Sequence, residues 1–286
     1  MNYYFKVFCL SFVLLFTCFT QVLGQWNVVQ TPSSENIFSL IHIINSNMIA
    51  VGAKGTIITS NDSGFTWSKQ NYNGFENLRS VKFENENKGL ICGENALILK
   101  TINKGVNWSV RHSLSGKYLN DIEVINADGL AVGRQGYMLE SKDSGQTWSQ
   151  ILSKTTHTFY TLCHLPQHVF LIGADSGFLY NWNPVSQELN NIKLETNLRV
   201  NKIQYLDSGI IIVTGGNPDT LFTNAAENFM AISLDTGKTW QYSYYEQARQ
   251  FNKSYFLNKD TGYFAMPSGR IGHTFTQGTT FNAHYI

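Results

Sequence analysis

Charge is scarce in this chain: Asp, Glu, Lys and Arg together make up 14% of 286 residues, which is too few for an intrinsically disordered or strongly charged polypeptide. Proline is nearly absent, with 5 residues against 23 glycines, a balance that excludes a collagen-like or proline-rich chain and suits short strands joined by tight turns. Net charge is missing too. Without Lys6, which falls in the leading apolar segment, twenty basic residues face twenty acidic ones, so no global field draws nucleic acid or membrane. Beyond that segment there is no long hydrophobic run. There is also no G-x-x-x-x-G-K-S/T phosphate loop, no C-x-x-C pair and no G-x-S-x-G nucleophile elbow. Neither cofactor nor metal is expected.

The first 24 residues carry the single charge Lys6, the apolar run Val7 to Thr20 and the small-residue end Val22-Leu23-Gly24. This fits a secretory signal cut before Gln25, with residues 25–286 as one exported domain. A retained anchor is the alternative, although the run is short of the roughly 20 residues that span a bilayer as a helix. Of four cysteines, Cys9 and Cys18 lie in this segment. Cys92 and Cys163 fall in apolar strand patterns two repeats apart, and are expected to be free buried thiols.

What the chain does contain is a repeat. Ser60-Asn61-Asp62-Ser63-Gly64-Phe65-Thr66-Trp67 returns as Ser141 to Trp148 and Ser233 to Trp240, with a variant from Thr101 to Trp108. The defining residues are Asp62, Gly64 and Trp67; Asn103, Gly105 and Trp108; Asp143, Gly145 and Trp148; Asp235, Gly237 and Trp240. Ahead of each box run three short β-branched segments, such as Ile37 to Ile43, Met48 to Gly52 and Thr56 to Thr59, and a fourth begins at the box threonine. The second segments align six times, beginning at Met48, Gly89, Gly129, Val169, Gly209 and Gly262. Two boxes have decayed: Leu189 and Phe281 stand in the tryptophan position, each twelve residues after Gly177 and Gly269.

The intervals from Trp67 through Trp108, Trp148, Leu189 and Trp240 to Phe281 are 41, 40, 41, 51 and 41 residues. A period near 40 with four short strands per unit predicts an all-β chain, a single β-propeller of six blades of four antiparallel strands, with seven blades as the alternative. The long interval places an insertion at Gly216 to Glu227. Trp26 to Gln30 resembles a fourth strand without its own blade, as does Phe281 to Ile286, and either can close the ring. In the box, the Asp is expected to accept hydrogen bonds from amides two residues on, the Gly to supply a positive φ, and the Trp to wedge between blades with its N–H on one partner.

The pattern resembles the Asp-box or BNR repeat of sialidases and many exported propellers. With Val51-Gly52-Ala53-Lys54-Gly55-Thr56-Ile57-Ile58-Thr59 ahead of the box, it is most similar to the photosystem II stability/assembly factor-like propellers. That resemblance implies a non-enzymatic scaffold that holds protein partners. A meander puts the boxes on one face, and the arginines map to the other: Arg134 and Arg270 at turns between second and third strands, Arg79 and Arg199 at the start of first strands, Arg111 and Arg249 on the connections between repeats. An arginine-bearing face suits a protein or other anionic macromolecular partner.

The second residues of the first strands, Phe38, Arg79, Asn120, Tyr160, Asn201 and Asn252, would ring the mouth of the central channel. Binding is therefore expected at Arg79, Arg134, Arg199, Arg270, Asn120, Tyr160, Asn201 and Asn252, in a monomer with no stable membrane insertion once the signal is removed. Two rival readings stand beside the scaffold. A surface adhesion module differs from it only in what it touches. A sialidase-like glycosidase would need an arginine cluster with a Tyr–Glu pair, for which Glu123 and Tyr160 are the available residues, and the early Arg-Ile-Pro motif is absent. His157, His164 and His168 form the densest histidine group, around a strand end with Pro166, without a convergent carboxylate or thiolate.

Overall fold

The computed structural model describes residues 28–70, 72–217, 228–245, 251–266 and 270–285. They form six four-stranded antiparallel sheets in simple up-and-down order. These are the blades of a six-bladed β-propeller, spanning residues 37–69, 78–112, 119–152, 159–193, 200–245 and 253–285. The seven-blade alternative is excluded for the described residues: each of the six repeats builds one sheet. The terminal question is partly answered as well. Asn282–Tyr285 pairs with Arg270–Thr274 as the outermost strand of blade 6, whereas Val28 to Gln30 carry no strand. Trp26, the insertion from 218 onward and Arg249 lie outside the described residues.

The innermost strands of successive blades, among them Ile37–His42, Leu78–Phe83, Leu119–Ile125, Phe159–Leu165 and Val200–Leu206, lie side by side around the axis. Alternation along each strand sends one set of side chains toward the preceding blade and the other toward the next. At the first position Leu78, Leu119, Phe159, Val200 and Phe251 are buried, as are Val81, Ile122, Leu162 and Ile203 at the fourth. These meet the next-facing side chains of the preceding blade in five apolar clusters, one at each seam from blade 1 to blade 6. Burial of a large aliphatic side chain contributes about 1.5–3 kcal/mol, so each seam is a substantial source of stability.

The sixth seam differs. Ile37 and Leu40, the first- and fourth-position residues of blade 1, are 39% and 52% exposed where their counterparts are near zero. On the facing side Tyr255 is 61% exposed, and Ala265 is exposed as well. Among the described residues no apolar cluster joins blade 6 to blade 1.

The glycine near the end of four of the six second strands has a steric cause. A Cβ on Gly52, Gly93, Gly133 or Gly215 would sit 2.1, 2.2, 1.7 or 2.0 Å from the carbonyl oxygen of Asn36, Asn77, Tyr118 or Arg199, the residue that enters the same blade's first strand. That carbonyl accepts the amide just beyond the glycine, as in Arg134 N to Tyr118 O and Gly216 N to Arg199 O. Blade 4 has Ala174 at this place, paired with Phe159.

Candidate functional site

The boxes are structural in detail. Asp62 Oδ1 accepts from Thr66 N (2.9 Å) and Oδ2 from the Thr66 hydroxyl (2.6 Å), while Ser60 Oγ accepts from Gly64 N (2.8 Å). Asp143 and Asp235 repeat this geometry on Thr147 and Thr239. The Asp therefore grips the amide and hydroxyl four residues on, and the serine serves the amide two residues after the Asp. The expected grip of the Asp on amides two residues on is corrected. The reason lies in two successive left-handed residues, Ser63 (φ 61°) and Gly64 (φ 89°), which fold the chain back over the carboxylate.

The Thr66 and Ser60 hydrogen bonds bring the Asp62 carboxyl down to about 2, and the equivalent bonds do the same for Asp235. These carboxylates are engaged by the donors of their own turn, which is a structural role. Trp108, Trp148 and Trp240 wedge into the seams with the preceding blades. The indole N–H of Trp67 donates to Gly64 O, but those of Trp108, Trp148 and Trp240 meet no acceptor among the described residues.

Each box also donates an amide to the first hairpin of its own blade, as in Ser63 N to Ser46 O, Lys104 N to Asn87 O and Ser144 N to Ala127 O. Boxes and first hairpins thus share one face, and the remaining connections form the other. On that second face three arginine guanidinium groups sit over aromatic rings. The Arg79 guanidinium is 4.5 Å from the Phe38 ring centre, Arg134 is 4.4 Å from Tyr118, and Arg199 is 4.5 Å from Tyr160. Such stacking contributes about 0.5–1 kcal/mol at exposed sites and fixes the fork while leaving its N–H edge outward.

Arg79 is shared with Glu94 at 3.4 Å, and Arg199 donates from Nε to Asn201 Oδ1 at 2.5 Å. Burial alone would raise the Glu94 carboxyl, but Asn77 and then Arg79 hold it below its usual value. Arg270 opens the third strand of blade 6, beside undescribed residues 267–269. Arg111 lies within Ser109–His112, the outermost strand of blade 2, near the end that leads on to blade 3.

The ring of second residues divides. Asn120 and Asn201 each donate at 2.7 Å to the carbonyl that opens the next blade, on Phe159 and Phe251, so both tie blades together. Phe38 and Tyr160 are the platforms under Arg79 and Arg199. Asn252 is exposed. Glu123 is held by Lys82 at 2.7 Å, away from any role beside Tyr160.

The feature that the sequence reading missed is inside the channel. Asp121, 3% exposed, accepts from Ser80 Oγ (2.7 Å), Thr161 Oγ1 (3.2 Å) and Leu162 N (2.9 Å), linking blades 2, 3 and 4. Burial alone would raise its carboxyl. Lys82, Lys202 and Lys253 from blades 2, 5 and 6, with the Ser80 hydroxyl, bring it down to about 2 instead. The signal was present in the third residues of the first strands, which read Ser39, Ser80, Asp121, Thr161, Lys202 and Lys253.

A groove of about 710 Å³ lies elsewhere, at the rim between blades 3 and 4. There His157 Nδ1 meets Asp175 Oδ1 and the imidazole rests on Phe178 at 4.6 Å. Cys92 and Cys163 are free thiols, the first buried and the second half-buried. Among the described residues no three His, Cys, Asp or Glu groups converge as a metal site.

Known proteins agree with this geometry. The family described as "Photosynthesis system II assembly factor YCF48" matches residues 19–118 and 75–158. The photosystem II assembly lipoprotein Ycf48 of Picosynechococcus sp. (strain ATCC 27264 / PCC 7002 / PR-6) is 35% identical over 82 residues, 26% of this chain. That match spans about a quarter of the relative's length, 24%. Among solved structures, YCF48 bound to D1 peptide superposes with a TM-score of 0.70 at 17% identity, covering 91% of this chain and 86% of that one. YCF48 from Cyanidioschyzon merolae does so with a TM-score of 0.70 at 15% identity, covering 91% and 88%. At these identities the structural likeness speaks for the fold. By its boxes, its six blades and these matches together, the chain is an Asp-box β-propeller that resembles the photosystem II assembly factor family.

Proposed function

We propose that this propeller is a non-catalytic, protein-binding scaffold of the assembly-factor kind, and that it holds an acidic segment of its partner on the face opposite the boxes. The observation that carries the reading is the set of three arginines, Arg79, Arg134 and Arg199, each laid on an aromatic ring on that face. Stacked forks are oriented before a partner arrives, so little side-chain entropy is lost when a carboxylate docks. Arg134 has no ion pair among the described residues, and its N–H groups are the ones open to a newcomer. That a YCF48 protein has been solved with a D1 peptide supports a protein segment as the class of ligand.

The leading segment, residues 1–24, supports export, with the propeller acting as a monomer outside the cytoplasm. Fusing residues 1–24 to a reporter active only after export tests that part; a silent reporter overturns it. The binding reading is tested by capturing partners from a native extract with the wild type and with Arg79→Ala/Arg134→Ala. A lost contact of about 1.4 kcal/mol is tenfold in affinity, so the double variant should bind at least tenfold more weakly. Lys142→Ala, on the box face, should leave capture unchanged. Equal capture by all three proteins refutes the assignment to this face, and turnover of a fluorogenic sialoside refutes the non-catalytic reading.

A further inference from the structure

The five apolar seams share one register. Trp108, Trp148, Leu189, Trp240 and Phe281 each pack into the cluster formed with the preceding blade. The first four of these stand eleven residues ahead of the next blade's first buried residue, Leu119, Phe159, Val200 and Phe251 in turn. Four of the five seams therefore hold a flat aromatic ring at this place, and the seam between blades 3 and 4 holds a leucine. That is the seam in which the groove of about 710 Å³ opens, with Leu189 in its lining.

The leucine comes with an exchange of bulk inside the blade. In blade 3 the Trp148 ring lies over a small pair: Gly129 faces Ser141 across the strands, and a Cβ on Gly129 would be 2.9 Å from Trp148 Cη2. In blade 4 the corresponding pair is Phe170 and Trp182, which are 0% and 2% exposed. Those two rings fill the inner part of the seam from the second and third strands. The fourth strand has no ring to add, and the outer part stays open between Ile151 of blade 3 and Leu189 of blade 4.

The lining combines two kinds of surface. Ile151 and Leu189 are half-buried and apolar, while Gln187, Asn190 and Asn191 on blade 4 are exposed amides that both donate and accept. Lys154 and Glu188 oppose each other in sign, and His157 is turned to Asp175, so no net charge selects an ionic ligand. An apolar slot with uncharged hydrogen-bonding groups beside it suits a ring carried on a polypeptide main chain.

We propose that this groove is a docking site for a polypeptide segment of a partner, and that its occupant is an aromatic side chain. The ring enters between Ile151 and Leu189, the place that Trp108, Trp148 and Trp240 fill in their own seams, and the amides of blade 4 meet the main chain that carries it. The site lies at the rim and does not rest on the arginine face binding anything.

The test titrates N-acetyl-L-tryptophanamide into the intact protein and follows it by ligand-observed saturation-transfer NMR. N-acetyl-L-leucinamide is the aliphatic control, and indole is the ring without a main chain. We expect saturable binding of the tryptophan amide with a Kd of about 0.1–1 mM, the range open to a ligand of its size, and binding of the two controls weaker by about tenfold or more. Leu189→Trp supplies the ring from within and should lose the binding. Asn191→Trp, at an exposed position on the same wall, should block the groove without touching the core, and it carries the same test if the first variant does not fold. Arg79→Ala/Arg134→Ala should bind as the wild type does, which keeps this site distinct from the arginine face. Absence of saturable binding up to the solubility limit, equal binding of the leucine amide, or undiminished binding to Asn191→Trp overturns the proposal. Indole binding as tightly as the amide overturns the assignment to a polypeptide.

Discussion

Asp121 offers the sharpest test of how the blades are held. Its carboxylate is buried, spans three blades and has four donors: Ser80 Oγ, Ile122 N, Thr161 Oγ1 and Leu162 N. In Asp121→Ala the two hydroxyls can turn toward the channel, but the amide of Leu162, a fully buried residue, keeps no acceptor. An orphaned buried donor costs about 1–3 kcal/mol, and each lost hydroxyl bond about 1 kcal/mol more. Lys82, Lys202 and Lys253 also lose a counter-charge, so the total should be about 3–5 kcal/mol, the range for breaking a buried charged network.

Asp121→Asn keeps one carbonyl oxygen for Leu162 N and should cost about half as much, the loss being mainly charge. Urea unfolding at pH 7, followed by tryptophan fluorescence, reads the difference as a shift in midpoint at constant slope. The acid limb gives an independent check. The folded carboxyl titrates near 2, below the unfolded value of about 3.9, so its contribution is complete above pH 4 and is lost as pH falls toward 2. At about two units this is roughly 2–3 kcal/mol that both variants should lack at neutral pH and that wild type should shed in acid. An alanine variant within 1 kcal/mol of wild type (about the size of an ordinary surface substitution or a little more), or an asparagine variant as damaged as the alanine, refutes the reasoning.

Three further outcomes follow from the same contacts. Gly133→Ala puts a Cβ 1.7 Å from Tyr118 O and should destabilise by about 2 kcal/mol in the same urea assay. Thr276→Asp should stabilise blade 6 by about 0.5 kcal/mol, because Thr276 Oγ1 already accepts from Thr280 N (2.9 Å) and meets its hydroxyl (2.7 Å) in the way the box aspartates do. Burial raises both thiols, so a disulfide reagent at pH 8 should leave Cys92 untouched in the native protein, attack half-buried Cys163 slowly, and titrate both at once in denaturant.

Blade number was legible because its carrier is local and periodic. An eight-residue turn with a fixed Asp, Gly and Trp marks each reversal, and Gly177 kept the count where one box had decayed. The sixth box was legible as a place and only the structure shows how it works, with Thr276 standing in for the acid. The arginines could be placed on a face from topology alone, since a meander fixes which turns lie together.

Their aromatic beds were less visible. Phe38 lies under Arg79 and Tyr160 under Arg199, contacts 41 and 39 residues apart in sequence. The channel was harder still. Asp121, Lys202 and Lys253 each look like an isolated polar residue in a strand, and only a closed count of strand positions, blade by blade, brings them into one space. Asn120 and Asn201 were legible as polar residues at the mouth, but their partners, the carbonyls of Phe159 and Phe251, are backbone atoms that no side-chain pattern reveals.

The exposed Ile37, Leu40 and Tyr255 change what kind of object the propeller is mechanically. A ring sealed at every seam has no end, and strain at one blade is shared both ways round. Among the described residues the six units are coupled through five apolar clusters, and the energetics of such a row are those of a short one-dimensional array. In such an array the terminal units have one neighbour each and open first, while the central ones open only with the whole. Blades 3 and 4, joined by Asp121 and by Asn120, are the keystone region. Blades 1 and 6, as the terminal units of such a row, are expected to lose hydrogen-exchange protection before the blades between them.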